Sequence, residues 1–198
     1  MFAVMADLTG PGFPEPPLAG DETSTLLGSL ERQRATFAWK TGELDDAGLR
    51  VKVGASSVTL GGLLKHLAFM EDLNFSKVLV GRDLGPPWNE VDWDVDPQWD
   101  WRTAADDSPD QLYALWRDAV TRSRSAVAEV LANDGLDQRV KEEFPDAAEP
   151  PTMRRVLIDM IEEYARHVGH ADLIREAVDG RVGEDPPGEP YPYQVLLG

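Results

Sequence analysis

Apolar residues recur at helical spacing through four separate stretches of this chain, with scarcely a strand signal between them. Side chains three and four apart share one face of an α-helix, so each stretch needs a neighbour to cover that face. The first stretch runs from about Thr23 to Leu44, with Leu26, Leu27, Leu30, Phe37 and Leu44 as its stripe. Arg32, Gln33 and Arg34 form a polar gap in it, and Thr23 or Ser24 is the expected N-cap. The second follows a Thr59 cap and runs from Leu60 to about Val80, stopped by Gly81. The third opens on Ser108-Pro109-Asp110-Gln111, a capping box with proline at the first helical position, and ends near Gly135. The fourth starts at a Thr152 cap and runs to about Asp179, with Gly180 as its stop. Only Arg50 to Gly54 reads as a short extended piece. The expected class is all-α, an antiparallel four-helix bundle.

Between the second and third helices lies a long segment, Arg82 to Asp107, rich in Trp and Asp. It contains Trp88, Trp93, Trp99 and Trp101, and is expected to fold back and pack rather than remain structureless. The two ends are rich in Pro and Gly. We therefore expect an extended arm over 1–20, one helical domain over 21–182 and a tail over 183–198.

The chain contains no cysteine. That excludes a disulfide framework, a zinc finger and a protein thiol nucleophile, so any thiol chemistry needs a thiol from outside. The net charge of -17 repels phosphate backbones and anionic lipid, which argues against nucleic-acid and membrane partners and otherwise serves solubility. No apolar run is long enough for a membrane span, and the first residues do not make a secretory signal. A cytoplasmic location is expected.

Only three histidines occur: His66, His167 and His170. A helix advances about 100° per residue, so Glu163, His167 and His170 fall on one stripe of the fourth helix. Tyr164 and Ala171 flank that stripe on the side expected to be buried. A carboxylate and an imidazole one turn apart can share a divalent cation, given a further ligand from elsewhere. His66 lies near the middle of the second helix, on the border of its apolar face. A bland reading stands beside this one: a border histidine satisfied in the core, and a Glu-His helix pair. Spacing alone leaves both open.

The segments TLLGSLERQRATFAWKTGEL, TLGGLLKHLAFMEDLNF and IEEYARHVGHADLIREAVDG resemble the DinB-like superfamily. They are most similar to its actinobacterial members related to mycothiol-dependent maleylpyruvate isomerase and to bacillithiol and mycothiol S-transferases. The resemblance spans about Thr23 to Gly180. It implies a four-helix bundle holding a metal with one His of the second helix and a pair, four apart, on the last. Those places fall on His66, Glu163 and His167. The family pattern often has a polar residue where His170 stands. His170 is open as ligand, base or partner of a ligand, with the last two ranked first. Asp172 and Arg175 read as helix-end pairing.

The resemblance implies a metal-dependent transferase that joins a mycothiol-type, low-molecular-weight thiol to an electrophilic small molecule. Zinc is the first choice of metal, with nickel, iron or manganese open. From its length the chain is expected to lack the extra C-terminal domain of the isomerase branch, which turns the reading toward a stand-alone S-transferase. Arg32, Arg34 and Lys65 are the available basic groups for an acidic cosubstrate. Two other readings are kept: a metal-dependent hydrolase that activates water, and a non-catalytic metal or small-molecule binding protein. Such bundles often pair through exposed faces, so a homodimer is also expected.

Overall fold

The computed structural model describes residues 13–145 and 148–187. The described residues divide into two compact units, one within 1–60 and 157–198, the other within 61–156. All four long helical stretches are present, and among the described residues there is no strand. An isolated β-bridge joins Arg139 to Thr152. The class is all-α, as expected. The short extended piece expected at Arg50 to Gly54 forms no strand; it passes through a turn with Gly54 at φ 59°.

In the first unit, α1 spans Glu22–Thr41. Its cap is Asp21, and not Thr23 or Ser24, because the Asp21 carboxylate accepts from the Ser24 backbone N–H at 2.7 Å. Gly42 ends the helix before Leu44, and Asp45 then caps the four-residue helix α2, Asp46–Leu49. The expected polar gap is only partly polar in effect. Arg34 is buried and paired with Glu31 at 2.7 Å. Arg32 faces the two terminal segments, pairing with Glu15, with Glu184 and with Asp185, while Phe13 lies 4.7 Å from its guanidinium. Gly28 sits under Pro16 so closely that a Cβ there would stand 2.7 Å from the Pro16 Cα. Thus residues 13–20 of the expected arm lie along α1. Residues 1–12 and 188–198 of the expected arm and tail lie outside the described residues.

The last helix, here α6, spans Met153–Asp179. Thr152 accepts its first turn through the Val156 N–H, and Gly180 closes it at φ 79°. Both ends match the sequence reading. Phe37 of α1 meets Tyr164 of α6 edge-on at 6.0 Å. Arg175, 1% exposed, donates to the Lys40 and Gly42 carbonyls and chelates Asp179 one turn on. It thereby caps the C-terminus of α1 with a side chain from α6. Lys40, equally buried, pairs with Asp172 at 2.9 Å.

In the second unit, α3 spans Leu60–Glu71 and continues as a π-helical stretch, Asp72–Leu79. The sequence indicates one helix to Val80; its extent is right but its second half is wound more widely. At the junction the buried Ser123 hydroxyl donates to the Glu71 carbonyl at 3.3 Å, which satisfies a group where the winding changes. Ser123 lies on α5, Pro109–Leu131, whose Ser108–Gln111 capping box is formed as expected. This helix stops at Leu131, short of Gly135, which instead opens a 3-10 turn.

The tryptophan-rich segment is folded, as expected. It holds a 3-10 turn at Trp88–Glu90, the helix α4 at Trp99–Thr103 and a second turn at Ala104–Asp106. Trp88 is buried and donates to Asp72 at 2.8 Å, and Trp93 stacks on Phe69 at 4.1 Å. The Asp72 carboxylate also accepts two bonds from Arg122 of α5, each 2.8 Å. That hydrogen bonding holds the Arg122 guanidinium above its ordinary pKa.

Two predictions follow from these ion pairs. Arg175→Met removes the Arg175 donor from two carbonyls at the α1 end and the guanidinium from Asp179, and should lower stability by about 3 kcal/mol in chemical denaturation. Asp179 itself is held below its ordinary pKa by Arg175 first, and further by the Arg181 backbone. A depressed carboxylate stabilises the fold above its unfolded value and loses that contribution as pH falls through the folded value. Asp179→Asn should therefore melt below wild type at neutral pH, with the gap closing as pH falls below the ordinary aspartate value of 3.8.

Candidate functional site

The helical period of α6 places three polar groups on one stripe. Tyr164 and Ala171, at its edge, are both fully buried, as the spacing requires. Glu163 Oε1 stands 3.0 Å from His167 Nε2, and His167 Nδ1 stands 3.2 Å from His170 Nδ1. His167 is buried, Glu163 is partly covered and His170 is exposed. Glu163, His167 and His170 are therefore brought together as one connected row in the first unit.

The row has a chemical order. Both nitrogens of His167 are engaged, one facing a carboxylate and the other an imidazole. Burial is the first cause that holds His170 below its ordinary pKa, followed by the charges of His167 and Arg166, with Glu163 pulling the other way. A neutral His170 is consequently favoured over its cation near neutral pH.

The donor pair suits a divalent cation. Zinc sits about 2.1 Å from either an imidazole nitrogen or a carboxylate oxygen, so two donors in tetrahedral array lie about 3.4 Å apart. The Glu163–His167 separation of 3.0 Å falls close to that span. One carboxylate and one imidazole are also donors that zinc and its first-row neighbours accept.

His66 belongs to the second unit, on the part-buried border of α3, as its spacing indicates. Its Nδ1 lies 2.7 Å from Asp100 Oδ2, and its ring stacks on Trp101 with centroids 4.3 Å apart and planes at 26°. Asp100 is 2% exposed. The sequence reading did not single out Asp100. The only signal was its position between two tryptophans in an expected packed segment.

The basic groups considered for an acidic cosubstrate are occupied. Arg32 pairs with three acids, Arg34 with Glu31, and Lys65 with Asp107 at 2.5 Å while lying 4.2 Å over the Trp99 ring. Asp172 and Arg175 are engaged in the pairing expected at the helix end.

Among the described residues no helix is long and apolar enough to cross a membrane. A family model described as Mycothiol-S-transferase matches residues 25–180. No curated protein and no solved structure matches the chain.

Proposed function

Because the chain belongs to the mycothiol-S-transferase family, within the DinB-like superfamily, we propose that it joins a mycothiol-type thiol to an electrophilic small molecule, with a divalent cation held by His66, Glu163 and His167. Each of the three offers one ligand atom, a ring nitrogen or a carboxylate oxygen. The observation that carries the reading is the Glu163–His167 pair, two donors one helical turn apart at 3.0 Å. Two neutral imidazoles and one carboxylate leave positive charge and an open coordination place on a divalent ion, which suits catalysis more than a closed structural site. Zinc is the metal this set fits first.

A divalent ion in that place would favour the thiolate over the thiol and so supply a nucleophile at neutral pH. The chain has no cysteine to compete for the electrophile or for the ion. In the transfer the thiol sulfur forms a bond to the electrophilic carbon, and the leaving group departs with the bonding pair. His170 is our choice for the proton acceptor, because its ring adjoins His167 and its lowered proton affinity keeps it neutral. The Glu163 carboxylate would lend the ion a negative donor beside the neutral His167 imidazole.

The test has two parts. Elemental analysis of purified protein should find about one divalent ion per chain, and His66→Ala and His167→Ala should each lose it. The metal-loaded protein is then incubated with mycothiol, or a surrogate thiol, and chlorodinitrobenzene or a bimane. Thiol consumption that disappears in His167→Ala supports transfer. Turnover of the electrophile without any thiol would instead point to hydrolysis. His170→Ala should keep the metal and slow transfer by about 100-fold, the usual scale of a lost general base.

A further inference from the structure

The segment from Arg82 to Asp107 contains seven aspartates, and Asp100 alone among them is buried. Burying a carboxylate is costly unless a donor answers it. The donor is the His66 ring, with Nδ1 at 2.7 Å from Asp100 Oδ2. A carboxylate accepts hydrogen bonds and offers none, so the nitrogen facing it carries the proton. Neutral His66 in this pose is the Nδ1–H tautomer, with its lone pair on Nε2. The neighbouring residue adds a second restraint: Trp101 stacks on the same ring at 4.3 Å. The hydrogen bond sets the direction in which Nε2 points within the ring plane, and the stack sets the plane.

From this pairing we infer that Asp100 is a positioning residue for His66, selecting the tautomer that leaves Nε2 as its metal-donor atom. The inference rests on His66 serving as a ligand, as proposed above. A free imidazole divides between two tautomers and rotates about two bonds, and a ligand that does so binds its ion more weakly. The carboxylate removes the wrong tautomer and also raises the basicity of the remaining nitrogen. Asp100 and Trp101 both lie on α4, so one short helix delivers the two restraints together.

The first measurement needs no variant. In metal-free protein labelled with 15N at histidine, long-range 15N–1H correlation reports which nitrogen carries the proton, and the His66 signals are assigned by their loss in His66→Ala. The Nδ1–H form is expected; a dominant Nε2–H form overturns the inference. The second measurement is zinc affinity by competition with a chromophoric chelator. Asp100→Asn should bind zinc 10- to 100-fold more weakly with its helical circular dichroism retained. Asp100→Glu should recover part of that loss. If wild type binds zinc and Asp100→Asn binds it equally well, the role assigned to Asp100 is wrong while the metal site stands. If wild type binds no zinc at all, the metal reading itself falls and the role of Asp100 falls with it.

Discussion

Asp72 is a buried carboxylate held by three bonds from two other parts of the chain: the Trp88 indole and both arms of the Arg122 fork. A buried charge of this kind is stable only when its lone pairs are answered, and removing one partner typically costs about 3 kcal/mol or more. Asp72 opens the π-helical stretch, Trp88 begins the first helical turn of the tryptophan-rich segment, and Arg122 stands in the middle of α5. One acid therefore fixes where the segment leaves α3 and where it crosses α5. Everything further along the segment inherits that placement. The Trp93 ring lands on Phe69, the Trp99 ring lands under Lys65, and Asp100 arrives at His66. The tryptophans supply apolar area, but it is the answered carboxylate that selects which packing is adopted, because an alternative register would leave Asp72 or Asp100 buried without a donor.

What could be read from the sequence was the part governed by short-range rules. The helical period alone put Glu163, His167 and His170 in one row and put Tyr164 and Ala171 on the buried edge. The Ser108–Gln111 box and the stops at Gly81 and Gly180 were equally local, since a cap or a positive φ is a property of a few adjacent residues. What could not be read depends on partners distant in the chain. The π winding after Glu71 is answered by Ser123 about fifty residues on. Nothing local separates Asp100 from the six other aspartates around it. Arg34 sits in a polar run and is buried all the same, because Glu31 accompanies it inward. The cap at Asp21 lies two residues ahead of Thr23 and three ahead of Ser24, because the carboxylate took the place ahead of the hydroxyls.

The two histidine environments differ in a way that bears on chemistry. His66 has its Nδ1 against a deeply buried carboxylate and its face against an indole, so its ring is restrained both in its plane and about its axis. His167 has neighbours at both nitrogens, and one of these is a second imidazole that is open to solvent. A ring held by a carboxylate makes a constant donor. A ring coupled to a neutral, exposed imidazole is connected to a group able to take up and release protons. In the proposed reaction the stripe on α6 would supply both donors and an outlet for protons, whereas the α3 histidine would supply one fixed donor.

Electrostatics narrows what such a site can accept. The chain carries an excess of seventeen negative charges. Arg32, Arg34, Lys40, Lys65 and Arg175 are each committed to an acid of the same chain. An anionic cosubstrate would approach against the summed field and find these bases already paired. A neutral thiol has no such barrier, since its sulfur acquires charge only on losing its proton at the site. A neutral electrophile would be favoured for the same reason. For the transfer proposed above, so acidic a surface would favour an uncharged pair of reactants over an acidic one.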